Sequence, residues 1–534
     1  MDPAIKADIE ANTKKRRTFA IISHPDAGKT TLTEKLLLFS GMIRTAGVVG
    51  SRKSNQGAAS DWMGMEQERG ISITASAMQF PYKGLTINVL DTPGHQDFCE
   101  DTYRTITAAD SVIMVIDSAK GVETQTRKLF ETCKLRKIPV ITFINKMDRY
   151  GKDPIELMEE VEEVLGIEAA AINWPVGRGK DFKGVVDLQS NTINLYTKTA
   201  AEGSAKPDLT QLNLNTVQAN NLLSDEEIND LKDEVELISE AGNQYTIERF
   251  RDGQVTPVYF GSALTNFGVE PLFDAFVDIA PCPHGRPANI DADTEIIVSP
   301  TEEPFSAYIF KLQANMNPRH RDCIAFMRIN TGRFEKDLVV TNQRSGKKIR
   351  LAQPHSLMAE GRETLISAYP GDVIGVISSG NFQIGDTITS KNNFTYKPLP
   401  YFQPEHFARL EPAEFGKRKA IDKGLAQLVA EGTVQIMRDW EDHNANAFIG
   451  AVGQLQFEVL RYRLEDEYKV KTKLTPLGFD CSCWLMGDVD SFKLPFGAKI
   501  VKDQRDMPMV LFKNQWDKGY AERENPNHQL VDYA

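Results

Sequence analysis

The stretch Ser23-His-Pro-Asp-Ala-Gly-Lys-Thr30 decides the reading of this 534-residue chain. It follows a short apolar run, Phe19-Ala-Ile-Ile22, suited to a buried parallel strand, and Lys29 opens a segment with Leu32, Leu36, Leu37 and Phe39 at helical spacing. A strand that stops abruptly, a loop with free backbone N–H groups and a helix whose positive end faces the loop make a phosphate cradle. Gly28 lets the backbone come close to an anion. Lys29 is expected to reach the β and γ oxygens, and the Thr30 hydroxyl to be a magnesium ligand, as is usual in such loops. Ser23, His24, Pro25, Asp26, Ala27 and Thr31 complete the expected nucleotide contacts. Ser23 stands where glycine is usual, so the turn there is expected to form with a side chain present.

Working outward, a second segment, Asp91-Thr-Pro-Gly-His95, follows the strand candidate Leu85-Thr-Ile-Asn-Val-Leu90. Pro93 and Gly94 break that strand and put Asp91 at the carboxyl end of the sheet, where open α/β sheets bind their ligands. An Asp there holds magnesium through a water, and the Gly94 N–H can touch a γ-phosphate, so losing that phosphate frees the loop. Asp91, Thr92, Pro93, Gly94 and His95 are therefore nucleotide-binding candidates. His95 is the side chain expected nearest the attacking water, hence the catalytic candidate.

The third and fourth segments choose the base. Asn145-Lys-Met-Asp148 follows the apolar run Ile138-Pro-Val-Ile-Thr-Phe-Ile144, and Ser262-Ala-Leu264 lies further on. A buried carboxylate at Asp148 can accept from the N1–H and exocyclic amine of guanine, whereas adenine would offer it an acceptor lone pair. A site built around such bonds rejects a base lacking the donors by ~10⁴ or more. Asn145 is expected to hold the loop and the imidazole edge, Lys146 to cover the ring face, and the Ala263 N–H to address O6. Met147, Ser262 and Leu264 complete this set.

Between Gly41 and Thr74, glycines at 47, 50, 57 and 64 leave little to bury, so that stretch is expected to be mobile unless a ligand orders it. It ends in Arg69-Gly-Ile-Ser-Ile73. That phrase, with a loop ending Asp-Thr-Pro-Gly-His, resembles the translational GTPases, in which a threonine at this place contacts magnesium. Ser72 occupies the position and retains a hydroxyl. The resemblance thus implies a metal set of Thr30, Ser72 and Asp91, with GTP or GDP and Mg²⁺ as cofactors.

Strand and helix patterns alternate to about Pro283, as in a doubly wound sheet. Asp153-Pro154 opens one helix, Leu157, Met158, Val161, Val164 and Leu165 give it a buried face, and Gly166 is placed to end it. A further helix over Ser224 to Glu240 carries a capping box of Ser224 and Glu227. From Phe305 the texture changes to short strands with turn signals, the pattern of a small β-barrel. Beyond Pro400, helices return among strands. The expected fold is a multidomain α/β chain: a P-loop doubly wound sheet over 1–283, a β-barrel over 284–395 and an α+β domain over 396–534.

That order of parts, with Met78-Gln-Phe-Pro81, Asp91 to Asp97 and Gly450 to Leu460, resembles the bacterial class II release factors, translational GTPases related to elongation factor G. Elongation factor G has two further domains, for which the stretch after Pro400 leaves no room. The resemblance implies a GTPase of translation termination that binds the ribosome after peptide release and ejects class I release factors. No intrinsic arginine finger is recognised, so the free protein is expected to be slow, and the resemblance implies that large-subunit ribosomal RNA draws His95 into place. An elongation or ribosome-rescue factor is the alternative within the class; a metabolic kinase lacks an acceptor pocket or lid sequence here.

Composition sets the remaining bounds. With 41% hydrophobic and 25% charged residues the chain reads as a globular protein of several cores. The first residues are polar and runs such as Val112 to Ile116 are too short for a bilayer, so no signal peptide, no membrane and a cytoplasmic monomer are expected. Six cysteines without zinc-like spacing, Cys481 and Cys483 among them, read as reduced thiols, leaving magnesium as the one expected metal. A net charge of −12 argues against indiscriminate nucleic-acid binding. Local basic clusters remain at Lys14 to Arg17, Arg319 to Arg321, Lys347-Lys348 and Lys417 to Lys419 as places where RNA phosphates can be met.

Overall fold

The computed structural model describes residues 2–43, 66, 73–197, 206–219, 221–301, 304–314, 323–352, 355–358, 361–364, 366–378, 380–391, 393–399, 401–413, 416–441 and 447–532. Ser72, most of the glycine-rich stretch before it and the Arg319 to Arg321 cluster lie outside the described residues.

Seven strands form the first sheet, in the order Ser76–Tyr82, Leu85–Asp91, Arg16–Ser23, Ser111–Asp117, Val140–Asn145, Val255–Phe260 and Glu168–Ala171. All neighbours are parallel except the first two, which form a hairpin. Alternate residues of the central strand feed different cores: Val112, Met114 and Ile116 pack on one face, Ile113 and Val115 on the other. Burial on both faces is why this strand reads as a continuous apolar run rather than an alternation. The helix Pro154–Leu165 has Asp153 as its N-cap and ends on Gly166 in the left-handed region, and Ser224 and Glu227 close their capping box ahead of Asp225–Ala241.

Two features go beyond the sequence expectation. The polar leading segment is a helix, Pro3–Lys14, capped by Asp2, that rests on the barrel through Asp8, which meets Arg333 and Tyr369. The alternation to Pro283 is also interrupted. Asn173–Val176, Gly184–Asp187, Thr192–Thr197 and Asp208–Asn213 form a separate four-stranded antiparallel sheet. Its outer strand, Asp208–Asn213, is largely exposed, so it carries too weak an apolar pattern to be read from the chain.

The barrel is an eight-stranded antiparallel sheet around Phe305, Ile309, Met327, Ile374 and Ile388. Its two ends meet: Arg286–Asn289 pairs with Thr395–Tyr396. A second eight-stranded antiparallel sheet, with the helices Arg418–Ala430, Gln454–Asp466 and Gln515–Glu524, forms the C-terminal part. Among the described residues no helix is long and apolar enough to cross a membrane. All six cysteines are free thiols.

Buried charges join these parts. Asp110 is fully buried and takes both oxygens to Arg328 Nη2, at 2.8 and 2.7 Å, while Arg286 donates to the Thr107 and Ala109 carbonyls. Burial works against the Asp110 charge, yet Arg328 and Arg286 outweigh it and hold the carboxyl below its usual range. Arg16, part of the first basic cluster, is bonded to Asp372 at 2.8 Å and lies over the Tyr369 ring, so it is spent inside the molecule. Lys347, Lys348 and Lys417 to Lys419 are exposed. Between barrel and C-terminal part, Glu431 accepts from the Ala314 N–H at 3.0 Å and pairs with Arg463 at 2.6 Å.

Candidate functional site

The loops at residues 23–30, 91–95, 145–148 and 262–264 all leave the carboxyl ends of the parallel strands, and they converge on one cavity of about 330 Å³. Ser23, His24, Pro25, Asp26, Gly28, Lys29, Thr30 and Thr31 line one part of it, Gly94 and His95 a second, and Asn145, Lys146, Asp148, Ala263 and Leu264 a third. The expected residues Ala27, Asp91, Thr92, Pro93, Met147 and Ser262 do not line the wall. Arg149, outside the expected set, does.

The cradle bends differently from the sequence expectation. Ser23 is the last residue of its strand, paired with Val115, and the left-handed residues are Asp26 (φ 66°) and Gly28 (φ 99°). The turn begins one residue later than expected, so Ser23 keeps an extended backbone that tolerates its side chain. Gly28 is required twice over. A Cβ there would stand 2.3 Å from Asn145 Nδ2, and that amide donates to the Ala27 carbonyl at 2.8 Å. The phosphate loop and the base loop are thereby tied together. Ala27 serves through this carbonyl while its own side chain is buried in the core.

Lys29 Nζ lies 2.5 Å from Asp91 Oδ1, with both side chains almost fully buried. The residue expected on phosphate and the residue expected on metal are therefore ion-paired to one another. Thr92 Oγ1 donates to the Ile21 carbonyl at 2.7 Å and Pro93 accepts from Thr102, so these two shape the loop from behind.

On the base side, Asp148 Oδ1 is buried and has no hydrogen-bond partner. An orphaned carboxylate oxygen beside a cavity fits a ligand edge that carries donors, as guanine does. Lys146 bridges the Asp26 carbonyl, at 2.5 Å, and Asp117 Oδ2, at 2.7 Å. Burial opposes the Asp117 charge, but the bonds from Lys146 and the Ala119 N–H hold its carboxyl below the usual range. The Ala263 N–H, expected to address O6, donates to Asn145 Oδ1 at 2.8 Å in this structure. Met147 is buried and bonds backbone to backbone with Gly261, and Ser262 bridges to Phe267.

His95 stands at the cavity rim, about a third exposed, and starts a short 3-10 turn over Gln96–Phe98. Its Nδ1 is 3.2 Å from Asp97 Oδ1. Asp97 in turn accepts from the Leu455 N–H at 2.7 Å, in the first turn of the Gln454–Asp466 helix. Ile73, Phe98, Leu455 and Val459 form a small apolar cluster around this joint. Ser72 is outside the described residues, but the next residues, Ile73 and Thr74, are held through their N–H groups by Glu66 at 2.9 and 3.0 Å.

Parallel-strand order and a glycine-bent loop between the first core strand and its helix define a P-loop nucleotide-binding fold. Residues 14–282 match the family described as Elongation factor Tu GTP binding domain, 304–391 match Elongation factor G domain 2, and 396–522 match Class II release factor RF3, C-terminal domain. The chain is 48% identical over 513 residues to Peptide chain release factor 3 of Synechocystis sp. strain PCC 6803, covering 96% of this chain and 93% of that protein. It is 48% identical to the protein of that name from Acaryochloris marina, covering 100% and 98% of the two chains. A solved structure from Thermus thermophilus shares the fold with a TM-score of 0.69 at 20% identity, over 91% of this chain and 72% of that one. The chain belongs to the peptide chain release factor 3 family, and is a translational GTPase of termination.

Proposed function

We propose that this GTPase is stimulated by the ribosome and that it drives class I release factors off the ribosome after peptide release. The reading rests on His95, a histidine on the rim of the nucleotide cavity whose loop is held by the C-terminal part. In the proposed reaction water attacks the γ-phosphate in line, His95 orients that water, and Lys29 leaves Asp91 to offset charge on the phosphate oxygens. Asp148 reads the guanine edge. Asn145 fixes the base loop against the phosphate loop. Thr30 and Asp91, with Ser72, are the proposed holders of Mg²⁺, which when bound neutralises phosphate charge. The loops from Ser23 to Thr31 and from Asp91 to His95 are proposed as the phosphate side of the site, and 145–148 with 262–264 as the base side, with Ala27, Thr92, Pro93, Met147 and Ser262 shaping those loops from behind the wall.

We further propose three domains, 1–283, 284–395 and 396–534; the pairing of Arg286–Asn289 with Thr395–Tyr396 supports the middle limits. We also propose that the protein is a cytoplasmic monomer and that it meets large-subunit ribosomal RNA. The test measures GTP hydrolysis by the purified protein with and without ribosomes, alongside displacement of a labelled class I factor from termination complexes. Stimulated hydrolysis with displacement is expected. Stimulation without displacement would favour an elongation or rescue role. His95→Ala is expected to keep nucleotide binding and lose stimulated turnover, and full turnover in that variant would remove His95 from the mechanism.

A further inference from the structure

We propose that Asp97 is a positioning residue for His95, and that the C-terminal domain sets it through Gly453 and Leu455. The inference rests on the reading of His95 as the group that orients water. Two groups of Asp97 stand at the same distance from His95 Nδ1: its carboxylate oxygen Oδ1, at 3.2 Å, and its backbone N–H, at 3.2 Å. A neutral imidazole can satisfy only one of them at a time. If Nδ1 accepts from the backbone N–H, the ring proton sits on Nε2. If Nδ1 donates to the carboxylate, Nε2 is left as an acceptor, which is the form able to hold a water by its hydrogen. In this structure Nδ1 accepts from the Asp97 N–H; the carboxylate oxygen, equally near, is the group that draws the proton to Nδ1 in the proposed active form and so gives the tautomer that water positioning needs.

The place of that carboxylate is fixed from another part of the chain, 358 residues away. Its Oδ2 takes the Leu455 N–H, one of the first-turn donors that a helix leaves without an internal partner, and it meets the positive end of the Gln454–Asp466 helix. Asp97 is nearly buried there. The approach is close enough that a Cβ on residue 453 would fall 2.0 Å from Asp97 Cγ, so only glycine lets the contact form. Movement of the C-terminal helix thus reaches His95 through one side chain, with no change required in the cradle.

The test uses the full-length protein and ribosome-stimulated GTP turnover. Asp97→Asn keeps an acceptor for the Leu455 N–H but turns an N–H donor toward His95 Nδ1, reversing the tautomer while leaving the joint in place. It is expected to lower kcat by about tenfold or more, with KM for GTP and affinity for GDP unchanged. Gly453→Ala, outside the cavity, is expected to do the same by pushing the carboxylate aside, and its effect should vanish when combined with Asp97→Ala. His95→Ala run in parallel separates the two readings. Loss of turnover in His95→Ala with wild-type turnover in Asp97→Asn would overturn the positioning role alone, whereas full turnover in His95→Ala would overturn both.

Discussion

Lys29 and Asp91 neutralise each other inside the protein, with Nζ and Oδ1 2.5 Å apart and 5% and 2% of the respective side chains exposed. In the proposed reaction nucleotide and metal replace one partner of each charge, and the pair keeps either charge from standing alone. Removing one member leaves the other buried and uncompensated. Lys29→Met is expected to abolish nucleotide binding and to cost about 3–5 kcal/mol of stability in nucleotide-free protein. Lys29→Met combined with Asp91→Asn should recover part of that loss, as read by urea denaturation. A single variant as stable as wild type would show that the pair is not buried in solution.

Gly28 should tolerate no side chain. Its φ of 99° alone costs a non-glycine residue on the order of 1–3 kcal/mol, and a Cβ would collide with Asn145 Nδ2. Gly28→Ala is expected to break the Asn145 bond to Ala27 and so weaken GDP binding at least tenfold, even though no ligand contact of Gly28 itself is removed. Calorimetric titration with GDP measures it.

The orphaned oxygen of Asp148 predicts base choice. Asp148→Asn should lower affinity for GTP and raise it for xanthosine triphosphate, because the amide donates to the second carbonyl of xanthine. A selectivity change approaching ~10⁴ is the scale set by one mispaired buried edge. Unchanged preference for guanine in competition binding would count against the base reader.

Asp110 gives the acid limit of the joint between the first sheet and the barrel. Its folded pKa lies below the unfolded value of about 3.9. The stability it supplies is thus present above pH ~4 and is lost as pH falls toward the folded value. Arg328→Met removes its main partner and is expected to cost about 3–5 kcal/mol and to move the acid-unfolding midpoint to higher pH. An unmoved midpoint in a pH titration followed by fluorescence would show that Arg286 suffices.

The parts of the site that are legible from sequence are those in which local chemistry and local structure coincide. The strand before Ser23, the helix from Lys29 and the strand-ending Asp91 are each marked by their neighbours. So are the capped helices at Asp153 and Ser224, where side chain and turn lie within three residues of each other. What stays hidden depends on distant partners. Nothing near Asp97 indicates that Leu455 will donate to it, and the distinctive run Gly450 to Leu460 does not say that its Gly453 will lie against Asp97. Arg16 reads as part of a surface basic cluster because Asp372, its partner, lies far along the chain. The strand Asp208–Asn213 is hidden for the opposite reason: it is too exposed to carry an apolar period.

The pairing of Arg286–Asn289 with Thr395–Tyr396 returns the chain to where the barrel began. The C-terminal part is thus leashed beside the first sheet and touches both other parts, at Asp97 and at Ala314. First sheet, barrel and C-terminal sheet thus each touch the other two, at Asp110 with Arg328, at Ala314 with Glu431 and at Asp97 with Leu455, so the contacts close a ring rather than a line.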